Sequence, residues 1–404
     1  MDPRSIAIAD LTYDLPTERI AQRPLEERDA TKLLVWKEGA IHDRTFRALP
    51  DELPPGTLLV LNDTRVVHAR MAFHRQSGAR IECIVLSPAG DRAIELALLD
   101  QGTSQWWCMV GNAKRWKGEE LVAEREGHTL RMERSAVRDG EHLITFRWEG
   151  SEPFVRQLGR FGEVPLPPYM RRAADADDDI RYNTVFGVRP GSVAAPTASL
   201  HFTHALMDAL QQRGVHTAHV TLHVGAGTFL PVKSATMNGH AMHAEQVRIA
   251  RGTIEAVLQQ KGKGPIVPVG TTALRTIESL YWFGADLLAG KEALFLDVDQ
   301  WRPYAEDPAP TMEAALEAVL AWMDRHDGLE MLMGSTRLLI APGYRFRVAD
   351  GLITNFHQPQ STLLLIVAAL AGPNWRRIYD HALANGYRFL SYGDGSLLWW
   401  TPLP

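Results

Sequence analysis

The chain has only two cysteines, Cys83 and Cys108, among 404 residues. That excludes a disulfide framework, a Cys-based zinc ribbon and an iron–sulfur cluster. It also lacks an apolar run of membrane-spanning length. The longest, Thr362–Ala371, is about half of the ~20 residues that a bilayer helix needs, and reads as a buried helix. No basic stretch followed by an apolar one opens Met1–Asp10, so no signal peptide and a cytoplasmic location are expected. G-x-x-x-x-G-K-[ST], H-E-x-x-H and C-x-x-C are missing, which removes the Walker-type phosphate loop and the commonest metal sites. Gly225-Ala226-Gly227 follows a strand-like run but lacks the third glycine and the helix of a dinucleotide fingerprint. His240 and His243 sit three apart without further ligands, so no metal is expected.

What is present is an ordinary globular composition, 45% hydrophobic and 23% charged, on a length that suggests two or three domains. The net charge of −5 argues against a nucleic-acid partner only until it is located. Residues 283–330 hold eleven acids against three bases, a local −8, which leaves +3 for the rest of the chain. A phosphate-rich partner can be accommodated on that remainder.

The chain changes period along its length. Thr57–Leu61, Ala79–Leu86, Ala93–Leu99, Trp106–Val110 and His142–Trp148 are short β-like runs separated by turn signals such as Pro88-Ala89-Gly90-Asp91, the spacing of a small barrel. From about Val193 the pattern becomes strand–loop–helix. Thr203 caps a helix that stops at Gly214, Val215–Val224 and Pro265–Val269 are strands, Thr311 caps another helix, and strand Gly351–Phe356 precedes helix Ser361–Ala371. Repeated units of this kind predict a mainly parallel α/β domain, here interrupted by an inserted small β-barrel domain. The expected division is 1–62 with 155–404 for the α/β domain and 63–154 for the barrel. Asp175–Asp179 reads as an acidic loop.

The loops at strand ends, where open α/β sheets place ligands, carry the chemistry. Gly270-Thr271-Thr272 with Arg275 offers free N–H groups at a helix start, a seat for a carboxylate or phosphate; simple capping is the alternative. Gly225, Gly227 and Thr228 lie in a loop that lets backbone approach a ligand, or that merely turns. Asn355-Phe356-His357-Gln358-Pro359-Gln360-Ser361 concentrates polar groups beyond what a cap requires. His201, His243 and Glu245 add acid–base groups, although a single histidine is often structural.

Taken in order, these segments are joined by Tyr13-Asp14-Leu15-Pro16, Leu61-Asn62-Asp63-Thr64-Arg65-Val66, Val164-Pro165-Leu166-Pro167-Pro168-Tyr169, Ala195-Pro196-Thr197-Ala198, Leu222-His223-Val224-Gly225-Ala226-Gly227-Thr228-Phe229, Met242-His243-Ala244-Glu245 and Ser391-Tyr392-Gly393-Asp394. Together they closely resemble the S-adenosylmethionine:tRNA ribosyltransferase-isomerase family of queuosine synthesis. The likeness runs from residue 10 to about 398 and is weakest over 85–150 and 283–330.

The resemblance implies an α/β domain interrupted by a β-barrel, and partners that are tRNA and S-adenosylmethionine, the latter a co-substrate with no bound cofactor. It implies a monomer without membrane attachment. The implied reaction moves the ribosyl moiety of S-adenosylmethionine onto 7-aminomethyl-7-deazaguanine in tRNA and isomerises it, giving epoxyqueuosine, adenine and methionine. His223, His243, Glu245 and His357 are then candidates to remove the C5′ proton beside the sulfonium. Asp394 or a histidine would protonate the departing adenine. Thr197, His201, Gly225, Gly227, Thr228, Asn355, Ser361 and Tyr392 would line the substrate site with the Gly270 helix start, and Asn62, Asp63 and Arg65 would contact the tRNA or the modified base. Ser199, Ser335 and Gln360 stand where the family commonly has Gly, Glu and Lys. These departures keep open a paralogue with altered substrate or with binding activity alone. A methyltransferase is disfavoured, since no Gly-rich nucleotide loop with a downstream acidic ribose partner is present.

Overall fold

The computed structural model describes residues 2–225, 232, 234–305 and 309–400. Its body holds two sheets. The larger runs in the order Ile266–Pro268, Leu58–Asn62, His216–Leu222, Glu245–Ala250, Met331–Thr336, Leu296–Val298. The smaller runs Gly351–Asn355, Gly395–Trp399, Lys32–Lys37, Ala40–Thr45. Four of their eight ladders are parallel, so the expected mainly parallel sheet is a mixed one. Two of the antiparallel ladders come from Glu245–Ala250, which enters antiparallel to both neighbours, and two from the smaller sheet, where Lys32–Lys37 pairs with Ala40–Thr45 and Gly351–Asn355 with Gly395–Trp399. The α/β body and the β-barrel are both present.

Six strands, Arg70–His74, Arg80–Pro88, Thr103–Gly111, Glu141–Trp148, His128–Arg138 and Leu121–Arg125, form the barrel, which closes where His74 pairs with Val122. Alternating residues such as Phe73, Ile81, Cys83, Trp106, Cys108 and Phe146 fill its interior, the period-2 pattern of a closed sheet. Helix Phe154–Phe161 plugs it, Phe154 stacking on Trp106 with ring centroids 5.5 Å apart. Both thiols are buried in this interior. A last short strand, Gly162–Glu163, pairs with Arg70–His74.

Two local expectations fail. Ala93–Leu99 is not a strand but holds the helix Ile94–Leu98, with Ile94, Ala97 and Leu98 buried and Leu96 exposed. Burial at i, i+3 and i+4 is a helical stripe, and it outweighs the apparent alternation. Asp175–Asp179 is not a loop: it starts the helix Ala176–Arg181 through a reciprocal capping box between Asp175 and Asp178. Asp178 is fully buried and held by both nitrogens of Arg172 at 2.6 and 2.7 Å. An acidic run turns inward there because a bidentate arginine and the Tyr392 hydroxyl, at 2.9 Å, satisfy it. No helix among the described residues is long and apolar enough to cross a membrane.

Candidate active site

The two sheets meet at one seam. Val269 bridges Ile353 in parallel, and the Gly270 N–H donates to the Ile353 carbonyl at 2.7 Å. Beyond the seam one chain turns at once into helix Thr271–Leu288, and the other passes through Asn355-Phe356-His357 to the helix capped by Ser361. Gly270 has φ 90° and ψ 152°, backbone that glycine adopts and other residues hardly can. No side chain caps this helix start. The first-turn N–H groups therefore lack intrahelical partners and carry the positive end of the helix dipole.

That helix start divides a cleft into two lobes, which share Thr271, Thr272 and Leu363. The first is walled by Ala194-Ala195-Pro196-Thr197-Ala198, Val224, Tyr169, Asn355, His357, Ser361 and Ser391. Among the described residues no Asp, Glu, Lys or Arg lines it. The second is charged: His240, His243, Glu245 and Arg275 face it beside Leu338-Leu339-Ile340. No described residue of 283–330 lines either lobe.

In the charged lobe Glu245 and Arg275, each 6% exposed, form a buried ion pair. Arg275 Nε donates to the Leu338 carbonyl at 3.0 Å and Nη1 to Glu245, while Nη2 is buried without a hydrogen-bond partner among the described residues. A guanidinium with one open donor beside a helix N-terminus suits a carboxylate. His243 is exposed on this lobe and makes no hydrogen bond among the described residues. Burial, then the neighbouring His243, pushes the His240 imidazole down.

In the uncharged lobe His357 Nε2 meets the Thr354 hydroxyl at 2.9 Å, and the Tyr379 hydroxyl accepts its backbone N–H at 3.0 Å. Burial pushes His357 down to about 3. Behind the wall, burial and then the Arg388 and Arg28 guanidinium groups push His201 down to about 3 as well. Both are neutral in the folded protein and would titrate near 6.5 once unfolded. The unfolded chain therefore binds protons that the native chain refuses, and stability is complete above about pH 6.5 and falls as pH drops toward 3. This pair alone should contribute a slope of up to about 2.7 kcal/mol per pH unit, readable from urea midpoints between pH 7 and 5. A midpoint flat across that range would mean that the two rings are protonated in the fold.

The cleft gathers His243, Glu245, His357, Thr197, Gly270, Thr271, Thr272, Arg275, Asn355 and Ser361 of the predicted residues. The others lie elsewhere. Asp394 lines neither lobe: its two oxygens accept the backbone N–H groups of Lys32 and Arg388 at 3.0 and 2.7 Å, closing the loop between them. Burial raises its carboxyl despite those bonds. His201 and Tyr392 back the wall from behind. Asn62 is fully buried beneath the helix start, donating to Leu222 O and Thr272 Oγ1 and accepting from the N–H groups of Thr64 and Leu222. Asp63 lines a separate depression with Arg189 and Arg248. Arg65 is exposed on the strand Thr64–Val66, which pairs with Arg189–Ser192. Gly225 does not line the cleft, and Gly227 and Thr228 lie outside the described residues.

His223 is also off the cleft. Its Nδ1 meets the Thr64 hydroxyl at 2.9 Å and its Nε2 lies 3.3 Å from Glu95, on the barrel helix Ile94–Leu98. Burial alone would raise the Glu95 carboxyl, but His223 and Arg248 hold it down at about 2. Glu95 escaped the sequence reading because it falls in the stretch of weakest family likeness. Tyr169 and Ser391, whose hydroxyls meet at 2.6 Å on the cleft wall, lay within matched motifs that could have flagged them.

Comparison with known proteins supplies names for this arrangement. A family model described as "Queuosine biosynthesis protein" matches residues 8–398. The chain is 40% identical over 401 residues to the S-adenosylmethionine:tRNA ribosyltransferase-isomerase of Azoarcus sp. (strain BH72), covering 98% of each chain. It is 42% identical over 399 residues to the protein of that name from Roseobacter denitrificans, covering 97% of this chain and 98% of the relative. It is also similar to the crystal structure of S-adenosylmethionine tRNA ribosyltransferase from Thermotoga maritima, at 28% identity and a TM-score of 0.46, over 96% of this chain and 99% of that one.

Proposed function

Because the chain belongs to the queuosine biosynthesis family, among S-adenosylmethionine:tRNA ribosyltransferase-isomerases, we propose that its two-lobed cleft is where that reaction is carried out. The protein uses S-adenosylmethionine as co-substrate. It transfers and isomerises the ribosyl moiety onto 7-aminomethyl-7-deazaguanine in tRNA, and releases adenine and methionine. The observation that carries the assignment of the cleft is its division at the open start of helix Thr271–Leu288 into one charged and one uncharged lobe. S-adenosylmethionine has the same division, a zwitterionic amino acid at one end and a neutral purine at the other. Arg275 Nη2 and the helix start take the methionine carboxylate, and the uncharged lobe takes the base.

Loss of the C5′ proton beside the sulfonium requires a base. Glu245 is committed to Arg275, and a histidine held at about 3, as His357 is, accepts protons weakly at neutral pH. His243, open on the rim of the charged lobe, takes that role. The exposed Arg65 and Arg189 contact tRNA phosphate; Arg189–Ser192 runs directly into the Ala194–Ala198 wall, which puts these cations one short segment from the cleft. The barrel, read as an inserted domain over 63–154, adds to that tRNA surface, and a tRNA substrate fits a cytoplasmic monomer.

Of the departures, Ser199, Ser335 and Gln360 all lie off the cleft lining, which favours a working enzyme over a binding paralogue. The test is to mix the protein with S-adenosylmethionine and tRNA bearing 7-aminomethyl-7-deazaguanine. Adenine should appear in proportion to modified tRNA, and none with tRNA lacking that base. Absence of adenine, or a methylated product, would refute the assignment.

A further inference from the structure

One side chain on the uncharged wall has its orientation dictated from behind. Asn355 Nδ2 lies 3.1 Å from the Leu390 carbonyl and 3.3 Å from His201 Nε2. A carbonyl oxygen only accepts, so the amide nitrogen must face it. His201 Nε2 must then accept from the same NH₂ group and carry no proton, which puts the ring proton on Nδ1. Nδ1 lies 3.0 Å from Thr31 Oγ1 and donates to it, and the Thr31 hydroxyl proton goes to the Arg28 carbonyl at 3.2 Å. Two backbone carbonyls thus fix every proton in the chain Arg28–Thr31–His201–Asn355–Leu390. The neutral state of the His201 ring, held down at about 3, agrees with this tautomer.

The relay leaves Asn355 Oδ1 over. The residue is 3% exposed, lines the uncharged lobe, and its Oδ1 has no hydrogen-bond partner among the described residues. An unpaired buried acceptor is costly and calls for a donor. With no acidic side chain in this lobe among the described residues, the donor is a neutral N–H group and not an ammonium. The Ala194, Ala195, Ala198, Val224 and Leu390 walls suit a flat heteroaromatic ring.

We propose that Asn355 selects a purine-type base by accepting a hydrogen bond from its amino group at Oδ1, with His201 and Thr31 as the positioning residues that hold the amide that way round. This deepens, and rests on, the assignment of the cleft to the ribosyl-transfer reaction. Two bases in that reaction carry such a group, the adenine of S-adenosylmethionine and the deazaguanine of the tRNA.

The test measures equilibrium binding to the full chain and needs no turnover. One pair of probes is adenosine and purine riboside, which lacks the amine. The other is 7-aminomethyl-7-deazaguanine and its 2-deamino counterpart. The wild-type protein should prefer the amino member of one pair by about 10-fold or more, and the pair that responds identifies which base sits there. Asn355→Ala should bring that ratio to near 1. Thr31→Val, which removes the acceptor for His201 Nδ1, should lower it too, and Thr31→Ser should restore it. The proposal is overturned if neither pair shows a preference, or if the preference survives in Asn355→Ala or in Thr31→Val proteins that melt as the wild type does. Adenine release by the wild type, scored separately, shows whether the wider assignment stands when this one falls.

Discussion

Adenine release by a His243→Ala variant is expected to fall by about 10²–10⁴-fold, the contribution of a positioned general base, with little change in the KM for S-adenosylmethionine. The residue is exposed and makes no hydrogen bond among the described residues, so its removal leaves the fold intact and the loss is read as chemistry. Free imidazole should restore part of the rate by diffusing into the vacated rim. His240→Ala, on the same lobe, should show a much smaller loss. An unchanged rate in His243→Ala would remove His243 from the role of base. His357→Ala offers the contrast, because a buried, hydrogen-bonded ring affects stability before rate.

The second large effect comes from the buried pair Glu245–Arg275. Arg275→Ala takes the cation away from the buried Glu245 carboxylate, and breaking a buried ion pair from one side typically costs about 3–5 kcal/mol of stability. The double variant Glu245→Leu with Arg275→Met removes both charges and should recover most of that loss, since a packed apolar pair is often as stable as an ionic one. Activity should not recover. Urea denaturation of the two variants, set beside single-turnover adenine release, separates the roles. A double variant with both stability and near-native turnover would make the pair purely structural and free the helix start to hold the carboxylate alone.

Much of the architecture was readable because local signals and tertiary outcome agree. Thr203, Thr311 and Ser361 cap their helices through the N–H groups of Leu206, Ala314 and Leu364, as expected from hydroxyl residues ahead of apolar periodicity. Glycine and threonines after a buried strand foretold the helix start at Gly270. What stayed hidden depends on partners far away in the chain. The burial of Asp178 needs Tyr392 as well as the nearby Arg172, and the orientation of Glu245–Ala250 is set by the strands on both sides. The site divided along the same line. Residues that act from a strand end, such as Asn355 and Arg275, could be named individually. Whether His223, Asp394 or Tyr392 faced the cleft or the scaffold could not be, because each is polar, flanked by glycine or apolar residues, and satisfied by groups that only folding supplies. The Thr31–His201–Asn355 relay joins residues up to 324 positions apart, and no spacing rule reaches that far.

Strand Glu245–Ala250 has two faces with different duties. Glu245 looks toward the cleft and Arg275. Gln246 accepts from the Ile94 N–H at 3.0 Å and donates to the Arg92 carbonyl at 2.9 Å, and Arg248 reaches Glu95 at 2.5 Å. A single six-residue strand therefore grips the barrel with one side and frames the charged lobe with the other. If RNA held by the barrel tightens the affinity for S-adenosylmethionine through this strand, S-adenosylmethionine must tighten the affinity for RNA by the same factor, because the two bindings close one thermodynamic cycle.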